Sequence, residues 1–412
     1  MKSAAPRVGI VVQRCHSSIT GGSEVEALHY ARLLSAQCQV EILTTTALDY
    51  VTWKNELRAG PDLVEGIPVR RFAVTIGRTP YWHQLHERLI ADHEPRKHNP
   101  AAPLARPWSI ALQEEFIRQQ GPYCEGLLAY LEQRHGDYDA IIFVSFLYPT
   151  TYFGIQRVPS AKALLVPTLH DEPTAHLSAF RDMAHRVHEI LWNAESERAL
   201  GERLWGALPG RITSMAVGVE PAAPLDLGYP YVLYCGRIDA GKRCDQLIEY
   251  FLSFKRAHPG PLKLVLTGHD HLGIPQHAEI VHRGFVPEGE KRALMAGAQA
   301  FLMPSPFESL SIVTLEAMGQ RTLVLANGAC AVLADHVERS QSGRIYTDFP
   351  SFESGLSALL DEAPRDAAQR DRARAYVLSR FSGDHIRSLL LEAVGSCAPS
   401  NRPLALTSSP PV

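Results

Sequence analysis

Two glutamates, Glu308 and Glu316, stand at an E-x7-E spacing within FLMPSPFESLSIVTLEAMGQRTLVLAN (301–327). The apolar run Phe301–Ser305 reads as a buried parallel strand, and Thr322–Ala326 reads as the next one. Between them a polar turn holds Glu308 and a helical stretch holds Glu316, giving a strand–loop–helix–strand crossover. One carboxylate is thereby expected at a strand's carboxyl end and the other in the first turns of the following helix. In open α/β sheets that end is where ligands bind. Spacing alone is weak, because Glu189 and Glu197 share it. Context separates the pair: a strand before, turn residues Ser309 and Ser311, a helix start, and a strand after. The alternative is a solvated helix N-terminus with acids favoured by the dipole.

Three further groups sit at strand ends. In YVLYCGRIDAGKRCDQLIEYFLSF (231–254), Gly236 and Arg237 close a strand, and Lys242 precedes an amphipathic helix carrying Leu247, Ile248 and Phe251. Two cations and a glycine at a strand-to-helix turn suit a diphosphate, since the helix dipole adds to bidentate binding by arginine. G-x-x-x-x-G-K-[ST] is not matched, and solvated basic residues in a turn are the alternative. Gly21 and Gly22 end a long loop between the strands Arg7–Arg14 and Val40–Thr45. Glycines there let a ligand approach the start of the helix that begins at Ser23, or merely make the turn. No G-x-G-x-x-G is present. His170 and Asp171 follow the buried run AKALLVPTL, where a histidine can contact substrate, move a proton, or act as a structural cap.

The elements that must position these groups alternate between strand and helix through the whole chain. Further strands are expected at Val69–Val74, Ala140–Phe146, Ala163–Leu169, Ile190–Asn193, around Ile212–Val217, at Lys263–Gly268 and at Ile280–Val286. Helices are expected near 288–297, at Asp371–Arg380 and at Asp384–Val394. The run FVSFLYPTTYFG (143–154) puts Tyr148, Thr150 and Thr151 near the same strand-end face. Segment 77–108, rich in proline and histidine, reads as a long insertion. Its stripe Tyr81, Trp82, Leu85 and Leu89 is at helical spacing and can dock on the domain, line an acceptor pocket, or touch a lipid surface. Histidines 83, 86, 93 and 98 show no accompanying ligand pattern, so no metal is expected. PAAPLDLGYP (221–230) has the composition of a linker.

At 412 residues, 45% hydrophobic and 21% charged, the chain is long enough for two ordinary soluble domains. A formal charge of −3 gives no reason to expect nucleic acid. No apolar run reaches the length of a membrane span, and the N-terminal stretch lacks a secretory pattern. Seven cysteines without C-x-x-C suggest neither a disulfide framework nor a zinc site, so a cytoplasmic setting is expected. Lipid contact through the Tyr81–Leu89 stripe would place the chain at the membrane's inner face.

Taken in order, these motifs resemble the group-1 (family 4) retaining glycosyltransferases of the GT-B fold. The likeness rests on G-R-x4-K as Gly236, Arg237 and Lys242, the G-F-V segment at 284–286, E-x7-E as Glu308 and Glu316 followed by Ala317-Met318, Gly21-Gly22-x-Glu24, and the His170-Asp171 strand end. The resemblance implies an α/β chain with two Rossmann-like doubly wound domains facing across a cleft. Residues 1–222 would form the acceptor-side domain and 223–380 the donor domain, with a closing helix at 381–396 and a tail from 397. Arg237 and Lys242 would bind the leaving diphosphate, and Glu316 the ribose hydroxyls. Glu308 would hold the donor sugar, aided by the backbone of Ser309, Leu310, Ser311 and Ile312. The backbone around Phe285 and Val286 would meet the base. His170 would reach the donor sugar, and Gly21-Gly22 would lie beside the reaction centre. The co-substrate would be a UDP- or GDP-sugar and the acceptor a saccharide, lipid-linked or small molecule, with no cofactor and no metal. The reaction would be metal-independent, since two cations are available and no D-x-D lies in a suitable loop.

The sequence also departs from the family pattern. Arg243 follows the lysine where glycine is commoner, Ser311 stands in another usual glycine place, and Asn327-Gly328-Ala329-Cys330 replaces a glycine-rich segment ending in an acid. These bear on donor identity. A nucleotide-sugar epimerase or hydrolase, or an inactive nucleotide-sugar-binding protein on the same fold, are the alternatives.

Overall fold

A computed structural model describes residues 5–19, 21–99, 102–308, 310–362 and 367–397. The expected tail and Ser309 therefore lie outside, or almost outside, the described residues. The chain divides into two compact units, Met1–Ser214 with Arg387–Val412, and Met215–Ile386.

The first unit contains β1 (Arg7–Val11), α1 (Gly22–Ser35), β2 (Gln39–Thr45), β3 (Gly60–Val64), β4 (Ile67–Phe72), α2 (Pro80–His93), α3 (Ile110–Gln120) and α4 (Glu125–Arg134). It continues with β5 (Ala140–Val144), α5 (Pro149–Ile155), β6 (Ala163–Val166), α6 (Ser178–Ala184), β7 (Glu189–Trp192), α7 (Glu195–Trp205) and β8 (Gly210–Ile212). Its sheet has the order β3-β4-β2-β1-β5-β6-β7-β8, parallel except for β3 against β4. Runs such as AIIFV in β5 are buried throughout because helices cover both faces, which explains their unbroken apolar character.

The second unit holds β9 (Tyr231–Cys235), α8 (Cys244–Ala257), β10 (Lys263–Thr267), β11 (Ile280–His282), α9 (Glu288–Gly297), β12 (Ala300–Met303) and α10 (Ile312–Gly319). β13 (Val324–Asn327), α11 (Ala331–Ser340), β14 (Arg344–Tyr346), α12 (Phe349–Glu362) and α13 (Ala367–Phe381) follow. All strands are parallel in the order β11-β10-β9-β12-β13-β14. The last helix, α14 (Gly383–Ser396), belongs to the first unit from Arg387 onward, where Arg211 pairs with Glu392 at 3.2 Å.

Both sheets reverse direction at one place: between β1 and β5 in the first, and between β9 and β12 in the second. Loops at the carboxyl ends of such strand pairs diverge and leave a crevice. Gly21-Gly22 follows β1 and Tyr148 follows β5; Arg237 follows β9 and Glu308 follows β12. The fold thus puts Gly21-Gly22, Tyr148, Arg237 and Glu308 at the switch points of their sheets, whereas His170 follows β6 and Phe285-Val286 follow β11.

Several expected strands are shorter than the sequence suggests, among them β5, which ends at Val144, β6, which ends at Val166, and three others with a local cause. β1 stops at Val11, where the chain turns toward the glycine loop. β8 ends at Ile212; Met215, Ala216 and Val217 are buried but unpaired with the sheet, and Val217 N–H instead donates to Phe381 O at 3.1 Å. β11 ends at His282, because Gly284 at φ 66° turns the chain and leaves Phe285 and Val286 in a loop.

The segment 77–108 forms α2 and a following 3-10 turn. Trp82, Leu85 and Leu89 face inward and join the core with Phe116 of α3, while Tyr81 is 45% exposed. The stripe is therefore a docking face, and burial leaves only Tyr81 of it to meet anything outside. Asp92, buried at the end of α2, ties the segment back on itself by accepting from Arg88 at 3.2 Å, Arg106 at 2.6 Å and Trp108 Nε1 at 2.9 Å. Among the described residues no helix is long and apolar enough to cross a membrane. All seven cysteines are buried and unpaired.

Candidate functional site

The glycines at the ends of β9 and β10 set the floor of the site in the second unit. Gly236 (φ 146°) and Gly268 (φ 129°) adopt conformations that L side chains rarely take. A Cβ on Gly268 would lie 1.9 Å from the Gly236 carbonyl oxygen, so the two loops touch through bare backbone. Tyr234, buried beneath, donates to Arg237 O at 2.7 Å and fixes the turn. Arg237 points outward, 57% exposed at its side chain, with Asp239 as a distant partner at 3.7 Å. Asp239 accepts Lys242 N–H at 2.8 Å and so folds the loop back before α8.

Lys242 and Glu308 meet across the β9–β12 switch, Nζ to Oε1 at 2.6 Å, with side-chain exposures of 25% and 15%. Residues 66 positions apart in sequence thus form one charged pair. Leu310 behind the Glu308 loop is held by His336 of α11, whose Nε2 lies 2.7 Å from Leu310 O and whose Nδ1 lies 2.9 Å from Tyr376 Oη. Burial lowers the His336 pKa, so a neutral ring donates to the carbonyl and accepts from the tyrosine. Ser311 precedes α10 in the left-handed region, φ 59° and ψ 66°, with Oγ 2.8 Å from Thr314 Oγ1. Arg243, before α8, is also left-handed, at φ 53° and ψ 36°. These are the two positions at which glycine was expected, and the geometry supplies the reason: glycine takes this conformation without a Cβ penalty. Neither N-cap side chain, Arg243 for α8 or Ser311 for α10, which begins at Ile312, makes a capping hydrogen bond; the first amide of α8, Cys244 N–H, donates instead to Asp239 O at 3.2 Å.

Glu316 is 8% exposed, one turn into α10, and Lys291 of α9 reaches it at 2.9 Å to Oε2 and 3.1 Å to Oε1. Lys291 also pairs with Glu288 at 2.9 Å. Burial raises the Glu316 pKa and Lys291 opposes the rise. Burial works against the Lys291 charge too, but Glu316 and Glu288 outweigh it and hold the ammonium form. Sequence spacing gave no sign of this pair. Phe285, 63% exposed, lies parallel to the His269 ring at 5.5 Å, while Val286 is buried beside it.

In the first unit, Gly21 is the N-cap of α1, and a Cβ there would stand 2.2 Å from Glu24 Oε2. The close approach lets Glu24 take Arg14 Nε at 2.8 Å in a buried ion pair, with Ser23 Oγ donating at 3.0 Å. Gly22 has open space around its α-carbon. His170 is half-buried in the loop after β6, where its carbonyl accepts Glu172 N–H at 2.9 Å. Asp171 accepts from Arg203 at 2.5 Å and lies 2.9 Å from His176 Nε2. Thr150 and Thr151 are buried in α5, so of the three residues selected there only Tyr148 is partly open.

The second E-x7-E pair has another job. Glu189 neutralises Arg211 at 2.7 Å, and Glu197, fully buried, accepts Leu169 N–H at 2.6 Å and Asn193 N–H at 2.5 Å. Burial pushes the Glu197 carboxyl up to about 8 and that of nearby Glu26 up to about 7. Among the described residues no group of three histidine, cysteine or acidic side chains is placed to hold a metal ion.

Residues 229–362 match the family described as "Glycosyl transferases group 1". Among curated proteins none matches the sequence. Among solved structures the chain is similar to sucrose-phosphate synthase from Thermosynechococcus elongatus, with 15% identity, a TM-score of 0.65, and 94% of this chain and 98% of that chain covered. It is similar to HepE of Anabaena in complex with UDP and glucose, at 14% identity and a TM-score of 0.66, covering 95% and 100%. S. aureus TarM, in complex with Fondaparinux, alpha-GlcNAc-glycerol and UDP, aligns at 11% identity and a TM-score of 0.65 over 94% and 99%. These likenesses show the GT-B fold, two α/β units with parallel sheets. The second unit carries a group-1 glycosyltransferase domain.

Proposed function

We propose that this chain, a glycosyltransferase by the domain it carries, is a retaining family-4 enzyme that moves a sugar from a nucleoside-diphosphate-sugar without a metal ion. The observation that carries the reading is the Lys242–Glu308 contact, 2.6 Å long, at the β9–β12 switch point. It places a cation and a hydroxyl-accepting carboxylate side by side at the end of the sheet where a ligand sits.

The chemistry requires charge to be absorbed as the diphosphate departs. Lys242 and exposed Arg237 can supply two positive charges, and the N-terminal ends of α8 and α10 add the helix dipole. Preorganised donors of this kind take the role that a divalent cation would otherwise have. Glu308 would hold the sugar hydroxyls. Its present partner, Lys242, would then turn from carboxylate to phosphate, so that donor binding exchanges one charge-assisted contact for another. Glu316 would accept the ribose hydroxyls, with Lys291 opposing the rise that burial gives its pKa. The Phe285–Val286 loop would meet the base. UDP in the HepE and TarM complexes favours a uridine donor. His170 and Gly21-Gly22 would serve the sugar and acceptor, and a surface saccharide or lipid-linked acceptor in the cytoplasm accords with the family's habits.

The test is transfer from UDP-glucose and related donors in the presence of EDTA, followed by nuclear magnetic resonance of the product's anomeric coupling. The proposal expects turnover with the donor's anomeric configuration preserved, and loss of turnover in a folded Glu308→Gln variant. Inversion, a strict metal requirement, or full activity in the variant would each overturn the corresponding part.

A further inference from the structure

We infer that the rim of the first sheet binds an anionic group on the acceptor through Arg78, so that the acceptor carries a phosphate ester or a carboxylate. The inference rests on the glycosyltransferase reading and extends it to the acceptor's chemical class.

Arg78 leaves β4 at the head of the 77–108 segment and is half-buried. Its guanidinium lies 4.5 Å over the Trp82 ring and 5.9 Å over the Trp53 ring. Nε donates to Gln120 O at 3.4 Å, and among the described residues no carboxylate comes within ion-pair distance. Neighbouring cations are treated differently: Arg14 has Glu24, Arg88 and Arg106 share Asp92, and Arg203 has Asp171. The two remaining nitrogens of this half-buried guanidinium engage no polar group among the described residues and reach solvent, so they are open to acceptors supplied by a ligand. Its flat fork suits a phosphate or carboxylate.

The surroundings are built to hold that cation. Trp53 is 1% exposed yet has φ 61°, a genuine outlier for so bulky a residue. Asp49 holds it there by accepting the N–H groups of Val51 at 2.5 Å, Thr52 at 3.0 Å and Trp53 at 3.2 Å. Trp53 Nε1 donates to Gln120 O at 3.0 Å, and a Cβ on Gly121 would stand 2.7 Å from the indole. The same Gln120 carbonyl therefore holds both the indole and Arg78. Tyr148 meets Trp53 edge-on at 5.3 Å, and Tyr50, 48% exposed, lies 5.4 Å from the Arg14 guanidinium. The rings against Arg78 are buried and fix its direction, while the exposed ring of Tyr50, close enough to act on the Arg78 charge, offers a platform for a sugar ring. The loops that carry these residues follow β1, β2, β4 and β5, which are neighbours in the sheet and include its switch point.

The experiment measures binding to the full chain at matched ionic strength, using glucose 6-phosphate, glucuronate and neutral methyl glucoside, with UDP as a separate ligand. Either charged sugar should bind more tightly than methyl glucoside, and which one does so distinguishes phosphate ester from carboxylate. Arg78→Gln should weaken the charged sugar about tenfold or more while UDP binds as in wild type, since a hydrogen bond to a charged group is lost. Arg78→Lys, which keeps the charge and the ring contact but not the fork, should lie between and serves if the glutamine variant fails to fold. Equal affinity for charged and neutral sugars, binding of neither charged sugar, or a folded Arg78→Gln with unchanged affinity would overturn the inference. Absence of UDP binding in wild type would instead strike the glycosyltransferase reading and leave the Arg78 comparison interpretable.

Discussion

Replacing Lys291 with methionine removes the cation that touches Glu316 and keeps most of the side-chain volume. The carboxylate is 8% exposed and the lysine side chain 15%, so water can do little to replace the lost partner. Removing one member of a buried pair costs about 3–5 kcal/mol when the other stays charged. Glu316 has an escape, because burial already raises its pKa and a proton can neutralise it. We therefore expect about 2–3 kcal/mol of destabilisation near pH 8, below the full cost. For a unit of this size that is a fall of roughly 4–12 °C in the unfolding temperature of the second unit. In the variant the folded carboxyl binds its proton more tightly than the unfolded one. Between the two pKa values the folded form holds more protons, so stability declines as pH rises. The loss relative to wild type should accordingly be smaller at pH 5 than at pH 8, and Lys291→Met/Glu316→Gln should recover most of it. Calorimetry of the three proteins at both pH values decides the matter. A loss under about 0.5 kcal/mol, the size of an ordinary surface change, or one equal at both pH values, would refute this reasoning.

Other outcomes follow from the same geometry. Arg243→Gly should raise stability by a few tenths to about 1 kcal/mol, because relief of left-handed strain exceeds the added chain entropy; a loss on denaturant titration would show that the arginine side chain stabilises the turn. Above about pH 6.5 the wild-type unfolding temperature should fall toward pH 8, because Glu26 and Glu197, raised to about 7 and about 8, still hold protons in the folded core that the unfolded chain has lost. His93, lowered to about 4 by burial and by His176, acts in the opposite direction but only below its ordinary value, so it does not cancel the effect in that window. Glu26→Gln should flatten the decline; an identical slope would assign it to other groups. Lys242→Ala should reduce turnover about 10²–10³-fold while the protein stays folded, and a change of less than a few-fold in initial rate would remove the lysine from leaving-group stabilisation.

The alternating strands and helices were legible because a parallel sheet covered on both faces needs unbroken apolar runs, such as AIIFV in β5 and ALLV in β6. The hairpin strand β3 was not, since GPDLV is an edge segment with a proline, and Leu63 is 66% exposed. Met215–Val217 was read too far as strand because burial without sheet pairing leaves the same apolar signature. At the site, glycines and cations at strand ends stood out, while pairing across the sheet did not. Lys291 meets Glu316 and His336 meets Leu310 only after α9, α10 and α11 pack, and no local pattern records that. The two E-x7-E pairs are instructive. Glu189 lies within β7 and pairs with Arg211, while Glu197 in α7 is a buried backbone anchor. Glu308 lies in the loop after β12 and faces Lys242, while Glu316 in α10 meets Lys291. Partners brought in from other elements, invisible in the spacing, decide what each carboxylate does.

The most direct test of the central claim is thermal unfolding of the protein, without metal, against UDP, GDP, ADP and dTDP. A diphosphate at about 100 times its dissociation constant should add roughly 2.7 kcal/mol of stability. The account predicts a rise of several degrees with one base, UDP first, that is diminished in Lys242→Ala. No shift with any of the four, or an equal shift in the variant, would contradict it.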